Sequence, residues 1–279
     1  MEPALKEENN QAPDPVLLVE DNFVNQKVAM LLLSRFGLEC ELACNGKEAL
    51  SAVMQKKYSV ILMDCHMPIM DGFEATVLIR QFESRTGGYT PIIAVTALAM
   101  AGDRERCIAC GMDDYLSKPI DTELLKEKLH HWTRSDVVLM HRQKQSSRRH
   151  LRSASRLVLM DKAPVDLKEL METYGLDALK ELLLIFLSSS ADNLDRIGLC
   201  LETRDTKGVS ELAHELRASC ASLRFKQLSQ LSLFLELTAG QCDWLEAFET
   251  FNSMKRLFDS FEGFAREILA DEEAVGVEA

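Results

Sequence analysis

Short apolar runs alternate with amphipathic stretches along residues 16–132. A brief apolar run bounded by polar or turn residues is typical of a buried strand. Apolar residues three or four positions apart are typical of a helix that covers a sheet. Strands are predicted at residues 16–19, 38–43, 60–63, 91–95 and 114–117, with a helix after each. Five strands alternating with five helices predict an α/β fold, a doubly wound five-stranded parallel sheet.

The hydrophobic pattern becomes helical throughout after residue 164. Long amphipathic helices are predicted at about residues 176–201, 205–220, 225–237 and 244–269, preceded by a short helix near 167–171. Short polar connections make consecutive helices antiparallel neighbours. The second half of the chain is therefore predicted to be an all-α, up-down four-helix bundle.

Three further segments differ in composition from these two predicted domains. Residues 133–163 are rich in Arg with scattered Ser, which is typical of a solvated linker, although docking to an acidic partner or to nucleic acid stays open. Residues 1–15 form an acidic, polar lead-in that we expect to be disordered, and residues 271–279 form an acidic tail. The predicted domains are accordingly 16–132 and 164–270.

Composition narrows the possible functions. The net charge of −12 argues against nucleic-acid binding by the chain as a whole. No apolar run approaches the roughly 20 residues that a membrane-spanning helix needs. Eight cysteines without a secretory signal sequence predict free thiols and a cytoplasmic location. Cys107 and Cys110 form a lone Cys-x-x-Cys pair, which we interpret as structural because no second pair accompanies it.

Polar residues with complementary chemistry stand at the carboxyl ends of four predicted strands. They are Glu20, Asp21, Asp64, Thr96 and Lys118. A parallel sheet brings these ends to one crevice. Each residue alone is more often a cap or loop residue, but three clustered carboxylates repel one another unless a cation such as Mg²⁺ lies among them. A hydroxyl and an ammonium group beside a carboxylate suit phosphoryl transfer, with Asp64 as the nucleophile.

Four motifs in residues 16–132 resemble those of a response-regulator receiver domain, the kind found in hybrid sensor kinases. The motifs are LVEDN, MDCHMPIMDGFEA, AVTA and DDYLSKPI. The resemblance implies a flavodoxin-like sheet with Asp64 as phospho-acceptor. It also implies that Glu20, Asp21, Asp64 and the backbone carbonyl of His66 hold Mg²⁺, while the His66 side chain is expected to be exposed.

The same resemblance assigns roles on the two following strands. Thr96 and Lys118 match the hydroxyl and amine that contact the phosphoryl group, and Tyr115 matches an aromatic switch. The bond between Lys118 and Pro119 is expected to be cis.

His214 falls at the margin between the apolar and polar faces of its predicted helix, where a lone histidine usually has no chemical role. Its neighbours Glu211, Glu215 and Arg217 are predicted to face water. The stretch AHELRASC, followed by LSQL and LE, nevertheless resembles a histidine phosphotransfer domain over residues 164–270. The resemblance implies that His214 carries a phosphoryl group on a ring nitrogen.

The bundle departs from that family pattern at three positions. Arg217 replaces a Lys, Ala218 replaces a Gly, and Arg224 replaces a later Gly. Arg217 keeps the positive charge, whereas Ala218 adds a methyl group one helical turn from His214. None of these departures removes the nucleophile, so both a working transfer domain and a degenerate docking bundle stay open.

The sequence therefore predicts a phosphorelay protein. The phosphoryl group would pass from an upstream kinase histidine to Asp64 with Mg²⁺, then to His214 or an external phosphotransfer protein, and on to another receiver. The alternative is a phosphorylation-switched binding protein whose bundle docks without carrying phosphate. No Gly-rich ATP-binding segment occurs, so the chain is not expected to act as an ATP-dependent kinase by itself.

Overall fold

A computed structural model describes residues 14–96, 103–133 and 165–270. The acidic tail and nearly all of the lead-in and linker lie outside the described residues, as does the predicted start of the fourth helix near Ala101. Within the described ranges, none of the helices combines the length and the apolar character that crossing a membrane requires.

The five strands pair in parallel throughout, in the order β2-β1-β3-β4-β5. They are β1 (Val16–Val19), β2 (Cys40–Ala43), β3 (Val60–Asp64), β4 (Ile92–Thr96) and β5 (Asp114–Ser117). The parallel sheet is confirmed, with β2 two residues shorter at its start than predicted. Because β1, β3 and β4 lie inside the sheet, their buried side chains explain why these strands read as continuous apolar runs.

Helices cover both faces of the sheet. They are α1 (Phe23–Arg35), α2 (Gly46–Gln55), α3 (Gly72–Thr86), α4 (Asp103–Cys110) and α5 (Thr122–Thr133). Val16 and Leu18 of β1 pack with α1 and α5, whereas the alternate residues Leu17 and Val19 pack with α2, α3 and α4. This alternation builds two apolar layers and confirms the doubly wound arrangement.

The remaining helices form the predicted bundle. They are α6 (Leu167–Tyr174), α7 (Leu176–Thr203), α8 (Thr206–Ser222), α9 (Lys226–Gly240) and α10 (Trp244–Ala270). The centre of the bundle is aromatic: the ring of Phe186 lies 5.8 Å from Phe261 and 6.4 Å from both Phe225 and Phe258. The long helices bury these apolar faces against one another, as expected for amphipathic helices joined by short connections.

Side-chain caps of the residue types that favour helix starts, Asn and Asp, begin several helices. Asn22 accepts hydrogen bonds from the backbone N–H groups of Val24 and Asn25 at the start of α1. Asp121 and Asp205 cap α5 and α8 in the same way. These caps satisfy backbone donors that have no partner inside the helix. The cap of α1 also positions the chain that follows β1 and carries Glu20 and Asp21.

The bundle packs against α1 of the α/β domain. The amide nitrogen Nδ2 of Asn22 donates to the Oγ of Ser219 at 2.8 Å, and the Oγ of Ser222 donates to the Oδ1 of Asn25 at 2.6 Å. Apolar residues on the α1 side of the sheet continue into the bundle core. The two domains therefore share a polar contact directly above the carboxyl end of β1.

Candidate functional site

Three carboxylates meet at the carboxyl ends of β1 and β3. Glu20 and Asp21 follow β1, and Asp64 is the last residue of β3. A carboxylate oxygen from each lies within 4.8 Å of one from the other two. Glu20 and Asp64 are buried, and Asp21 is half-buried. The sheet therefore assembles the acidic cluster that the sequence predicted.

Lys118 places its ammonium group inside this cluster. Its Nζ lies 2.6 Å from Glu20 Oε2 and 2.7 Å from Asp64 Oδ2, and only 3% of its side chain is exposed. A cis peptide bond joins Lys118 to Pro119, as expected. Burial works against the charged amine, but Asp64 and Glu20 outweigh it and raise the pKa of Lys118 above its usual value.

The single positive charge of the Lys118 ammonium group does not balance the negative charges of three carboxylates. Burial and the Asp64 charge raise the pKa of Glu20 to about 7 against the opposing effect of Lys118. Burial, again followed by Asp64, raises the pKa of Asp21 to about 6. Burial is the larger cause of both shifts, and the neighbouring Asp64 carboxylate adds to it in each. Hard oxygen donors with excess negative charge fit a Mg²⁺ ion.

The turn after β3 wraps closely around Asp64. The backbone N–H of His66 donates to Asp64 Oδ1 at 3.1 Å, while the His66 side chain is exposed as expected. A Cβ atom at Gly72 would lie 2.1 Å from the carbonyl oxygen of Asp64. Only a residue without a side chain allows α3 to begin this close to β3.

Thr96 and Tyr115 lie on the two following strands. Thr96 is buried at the end of β4, and its carbonyl accepts a hydrogen bond from the backbone N–H of Lys118 at 2.7 Å. Tyr115 is half-buried, with its ring 5.7 Å from the guanidinium carbon of Arg104 and 5.6 Å from Lys128 Nζ. Thr96 thus lies beside the crevice, and Tyr115 lies between two cations on α4 and α5.

His214 lies on α8 with 32% of its side chain exposed. Its Nδ1 is 3.0 Å from Arg217 Nη2 and 3.6 Å from Glu236 Oε1 of α9. Glu211 and Glu215 are exposed as predicted, but the prediction that Arg217 faces water is wrong, because only 13% of its side chain is exposed. The guanidinium turns back toward His214 and Glu236, so the stem of Arg217 lies against the bundle.

The two predicted sites face a single cavity of about 930 Å³ between the domains. Its lining includes Asp64, Lys118, His66, His214, Ala218 and Glu236. The rings of His66 and His214 lie 6.3 Å apart across it. The methyl group of Ala218 lines the cavity without preventing this approach, so the structure accommodates one of the three departures from the family pattern.

Arg224, another of those departures, lies away from the cavity lining. Its φ of 57° is in the left-handed region that favours glycine, and its side chain forms an ion pair with Glu169 of α6. The free-energy cost expected for this backbone conformation therefore arises at the C-terminal end of α8 and not at His214.

The structure brings residues to the site that the sequence motifs do not indicate. Asn25 donates from Nδ2 to Glu20 Oε1 at 2.9 Å and accepts from Ser222 on its Oδ1. Away from the cavity lining, Lys27 of α1 lies 2.5 Å from Glu181 of α7 and adds an ion pair between the two domains. Asn22 and Asn25, like Ser219 and Ser222, are three residues apart and so share a helix face, the one signal that pointed to them in the sequence.

Comparisons with known proteins agree with this geometry. Residues 16–130 match the family model of the response regulator receiver domain, and residues 181–263 match that of the Hpt domain. The chain therefore carries a receiver domain followed by a histidine phosphotransfer domain and belongs to the proteins of two-component signalling. This domain order supports a role in a phosphorelay.

Individual relatives are histidine kinases. Hybrid signal transduction histidine kinase I of Dictyostelium discoideum is 48% identical over 120 residues, which are 41% of this chain and 7% of the relative. Signal transduction histidine-protein kinase BarA of Escherichia coli is 30% identical over 254 residues, which are 90% of this chain and 26% of the relative. The chain thus spans a minor part of the length of these relatives.

A solved structure of similar sequence is the receiver domain of a sensor histidine kinase from Pseudomonas aeruginosa PAO1, which has a magnesium ion coordinated in its active site cleft. It is 43% identical and covers 44% of this chain and 100% of its own, with a TM-score of 0.41.

Proposed function

We propose that Asp64 accepts a phosphoryl group from the phosphohistidine of an upstream kinase, and that His214 of the same chain receives it from Asp64. The observation that carries this proposal is the shared cavity, which both residues line. Another receiver or phosphotransfer protein is the onward acceptor, since a histidine exposed by one third stays accessible once the domains separate.

The domain limits that go with this function are 16–132 for the receiver, 133–163 for the linker and 164–270 for the bundle. The contacts between α1 and α8 support this division, because side chains join the sheet domain to the bundle and the two share neither a strand nor a helix among the described residues.

Asp64 acts as the nucleophile in the first step. Its Oδ1 is oriented by the N–H of His66 and its Oδ2 by Lys118. Lys118 and the hydroxyl of Thr96 then bind the phosphoryl oxygens. Tyr115 rearranges in the phosphorylated state and so alters the surface formed by α4 and β5. Glu20, Asp21, Asp64 and the His66 carbonyl would hold Mg²⁺, which would supply positive charge next to the phosphoryl oxygens.

A phosphorylation-switched docking protein is the second candidate, and the position of Arg217 favours it. A guanidinium that donates to His214 Nδ1 occupies one nitrogen of the proposed nucleophile. In this function Asp64 is phosphorylated, and the bundle responds by releasing or holding α1 without carrying phosphate itself.

The experiment incubates the full chain with a labelled small-molecule phosphodonor and Mg²⁺. Asp64→Asn and His214→Gln are compared with the exposed controls Asp195→Asn and His130→Gln. Acyl phosphate is lost in alkali and phosphohistidine in acid, so stability to each identifies the bond. We expect all label to require Asp64 and an alkali-stable share to require His214 as well.

Two other results would contradict the proposal. Label confined to Asp64, with none on His214 at any time, would favour the docking function. Label that persists in Asp64→Asn would exclude Asp64 as the acceptor.

A further inference from the structure

One face of α8 lies along the start of α1 and ends in a carboxylate near the acidic cluster of the receiver. Ser219 accepts a hydrogen bond from Asn22 Nδ2 at 2.8 Å, and Ser222 donates one to Asn25 at 2.6 Å. Glu215 precedes Ser219 by four residues, so Glu215, Ser219 and Ser222 share this face of the helix. The docking face therefore carries two hydrogen-bonding serines and, one helical turn earlier, a glutamate.

The backbone of Glu215 is held by the same hydroxyl group that docks the bundle. Ser219 Oγ donates to the carbonyl oxygen of Glu215 at 3.2 Å while it accepts from Asn22. Asn22 directly follows Asp21, whose carboxylate belongs to the acidic cluster. The contact that joins the two domains therefore also places Glu215 close to Asp21.

The charge of Glu215 reaches the acidic cluster, because Glu215 and Asp21 both line the cavity between the domains. Burial is the largest cause that raises the pKa of Asp21 to about 6, Asp64 adds to it, and Glu215 raises this pKa further by a smaller amount. Glu215 is exposed and forms no ion pair among the described residues, whereas Glu211 is paired with Lys207 at 3.6 Å. Docking thus brings an unpaired carboxylate to a site that already holds three carboxylates.

Carboxylates that approach one another repel unless a cation lies among them. In the receiver, one ammonium group accompanies three carboxylates, so the cluster is anionic when all three are ionised. A divalent cation bound there would cancel this net negative charge. The carboxylate of Glu215 would then approach a neutral site that contains a cation, so docking would be more favourable with the cation than without it.

We propose that Glu215 couples docking of the bundle to Mg²⁺ binding at Glu20, Asp21 and Asp64. The cation strengthens docking, and the docked bundle raises the affinity of the receiver for the cation. This inference rests on the Mg²⁺ binding in the proposed function, and Glu215 acts in it through its charge. The bundle then closes preferentially on a receiver that holds the cation needed for phosphoryl transfer.

The coupling is reciprocal. The factor by which docking lowers the Kd for Mg²⁺ must equal the factor by which Mg²⁺ shifts the docking equilibrium. Affinity for the cation and the extent of docking can therefore be measured separately and compared, and neither measurement requires a phosphodonor.

Calorimetric titration of the full chain with Mg²⁺ tests the first half of this coupling. Glu215→Gln keeps the size and removes the charge. We expect it to raise the Kd for Mg²⁺ about threefold, because the loss of one nearby unit charge in a solvent-filled cavity changes binding by this order. Glu267→Gln, an exposed glutamate of α10 outside the cavity lining, is the matched control and should leave the Kd unchanged.

Substitutions at Lys27 distinguish docking from a direct effect of charge. Lys27 lies outside the cavity lining and pairs with Glu181 of α7 at 2.5 Å. Lys27→Glu places like charges at this contact and should weaken docking. The added negative charge alone would lower the Kd for Mg²⁺, whereas weaker docking raises it, so a raised Kd identifies the coupling. Adding Glu181→Lys restores an ion pair and should return the Kd to the wild-type value.

Small-angle X-ray scattering measures docking through the radius of gyration of the full chain. We expect the wild type to become more compact when Mg²⁺ replaces a chelator, and Glu215→Gln to change less between these two conditions. Thermal unfolding shows whether each variant folds. The variants at Lys27 and Glu181 test the same coupling if Glu215→Gln does not fold.

Three results would overturn this inference and leave the proposed phosphoryl transfer intact. They are an unchanged Kd in folded Glu215→Gln, a Kd lowered by Lys27→Glu, and a wild-type radius of gyration that Mg²⁺ does not alter. A wild-type chain that binds no Mg²⁺ would instead contradict the metal site of the proposed function. The expected coupling in a chain whose His214 never takes label would support this inference together with the docking function.

Discussion

The receiver site and the bundle site are both proposed to accept a phosphoryl group, but they are built from different residues on different kinds of secondary structure. In the receiver, Glu20, Asp64 and Lys118 come from three strand ends, and all three side chains are nearly inaccessible to solvent. In the bundle, His214 and Glu236 come from two neighbouring helices, and the histidine is one third exposed. The first site is an assembly of charges, and the second is a single ring held by hydrogen bonds.

This difference indicates how each nucleophile is controlled. In the proposed function a carboxylate attacks a phosphoryl group at the receiver site, so the reaction depends on neutralising the negative charge around Asp64. At the bundle site an imidazole would attack, so its reactivity would depend on which ring nitrogen holds the proton. The proposed function therefore needs a cation at the receiver site and a suitable protonation of the His214 ring at the bundle site.

Two asparagines connect the two sites. Asn25 donates to Glu20 and accepts from Ser222 of α8. Asn22 donates to Glu20 from its backbone N–H and to Ser219 from its side chain. Docking of the bundle therefore reaches the acidic cluster through Asn22 and Asn25. Substitutions at either site and at the contact between them show how separately the two sites act.

Lys118→Ala should separate the sites most clearly. It removes the ammonium group that lies 2.7 Å from Asp64, and loss of one such positioned donor typically costs about 10²-fold or more in rate. We expect labelling of Asp64 by a small-molecule phosphodonor to fall by that factor. Lys126→Ala is the control, since this half-buried lysine of α5 pairs with Glu123 and not with Asp64. A loss below threefold would show that Lys118 serves folding alone.

The receiver site should also make stability depend on pH in the absence of metal. Burial and the Asp64 charge raise the pKa of Glu20 to about 7 in the folded state, above its ordinary value of 4.5, so the folded state keeps this proton to higher pH. The unfolding free energy should therefore fall as pH rises from 4.5 to 7. Denaturant titrations at pH 5 and pH 8 measure this.

Added Mg²⁺ should restore the stability lost at pH 8. Glu20→Gln should make the unfolding free energy less dependent on pH. Stability that rises with pH in the metal-free chain would contradict the account of the acidic cluster.

Gly72→Ala should destabilise the receiver, whereas the same change in the bundle should not. The new Cβ at Gly72 would meet the Asp64 carbonyl, and such overpacking costs about 1–3 kcal/mol. Gly263 of α10 has open space at its Cβ position, so Gly263→Ala should stabilise by roughly 0.5–1 kcal/mol. Denaturant unfolding compares the two, and effects of equal sign would contradict the close packing at Gly72.

Ser222→Ala should weaken the link between the sites. It removes the 2.6 Å hydrogen bond to Asn25 without touching the acidic cluster, and one such bond contributes about 1 kcal/mol. We expect transfer from Asp64 to His214 to slow about fivefold, with labelling of Asp64 unchanged. Ser253→Ala on α10 is the control. A transfer rate that rises with protein concentration would show transfer between chains instead.

Ala218→Gly should have the smallest effect. The cavity already accommodates the Ala218 methyl group, so we expect transfer to change by less than about threefold, while the helix loses about 1 kcal/mol of stability. The double variant with Arg217→Lys restores the residues of the family pattern. Transfer seen only in that double variant would show that the natural bundle is a docking module.

Local patterns predicted most of the secondary structure. The strand ends at Asp64 and Thr96 and the caps at Asn22, Asp121 and Asp205 lie where apolar periodicity and capping chemistry place them, because both act over a few residues. The direction of Arg217 was predicted wrongly. A helical pattern assigns a face to each residue, but a long flexible side chain turns toward a partner on another helix, here Glu236.

The secondary-structure elements, the acidic strand ends and the histidine could be predicted from residue order alone, because period, turn chemistry and residue type are properties of short segments. Three relations could not: Asp64 and His214 face one cavity, Asn25 bridges Glu20 and Ser222, and Arg217 and Glu236 both approach Nδ1 of His214. Those relations join residues as much as 197 positions apart in the chain, and their distances depend on how whole domains pack.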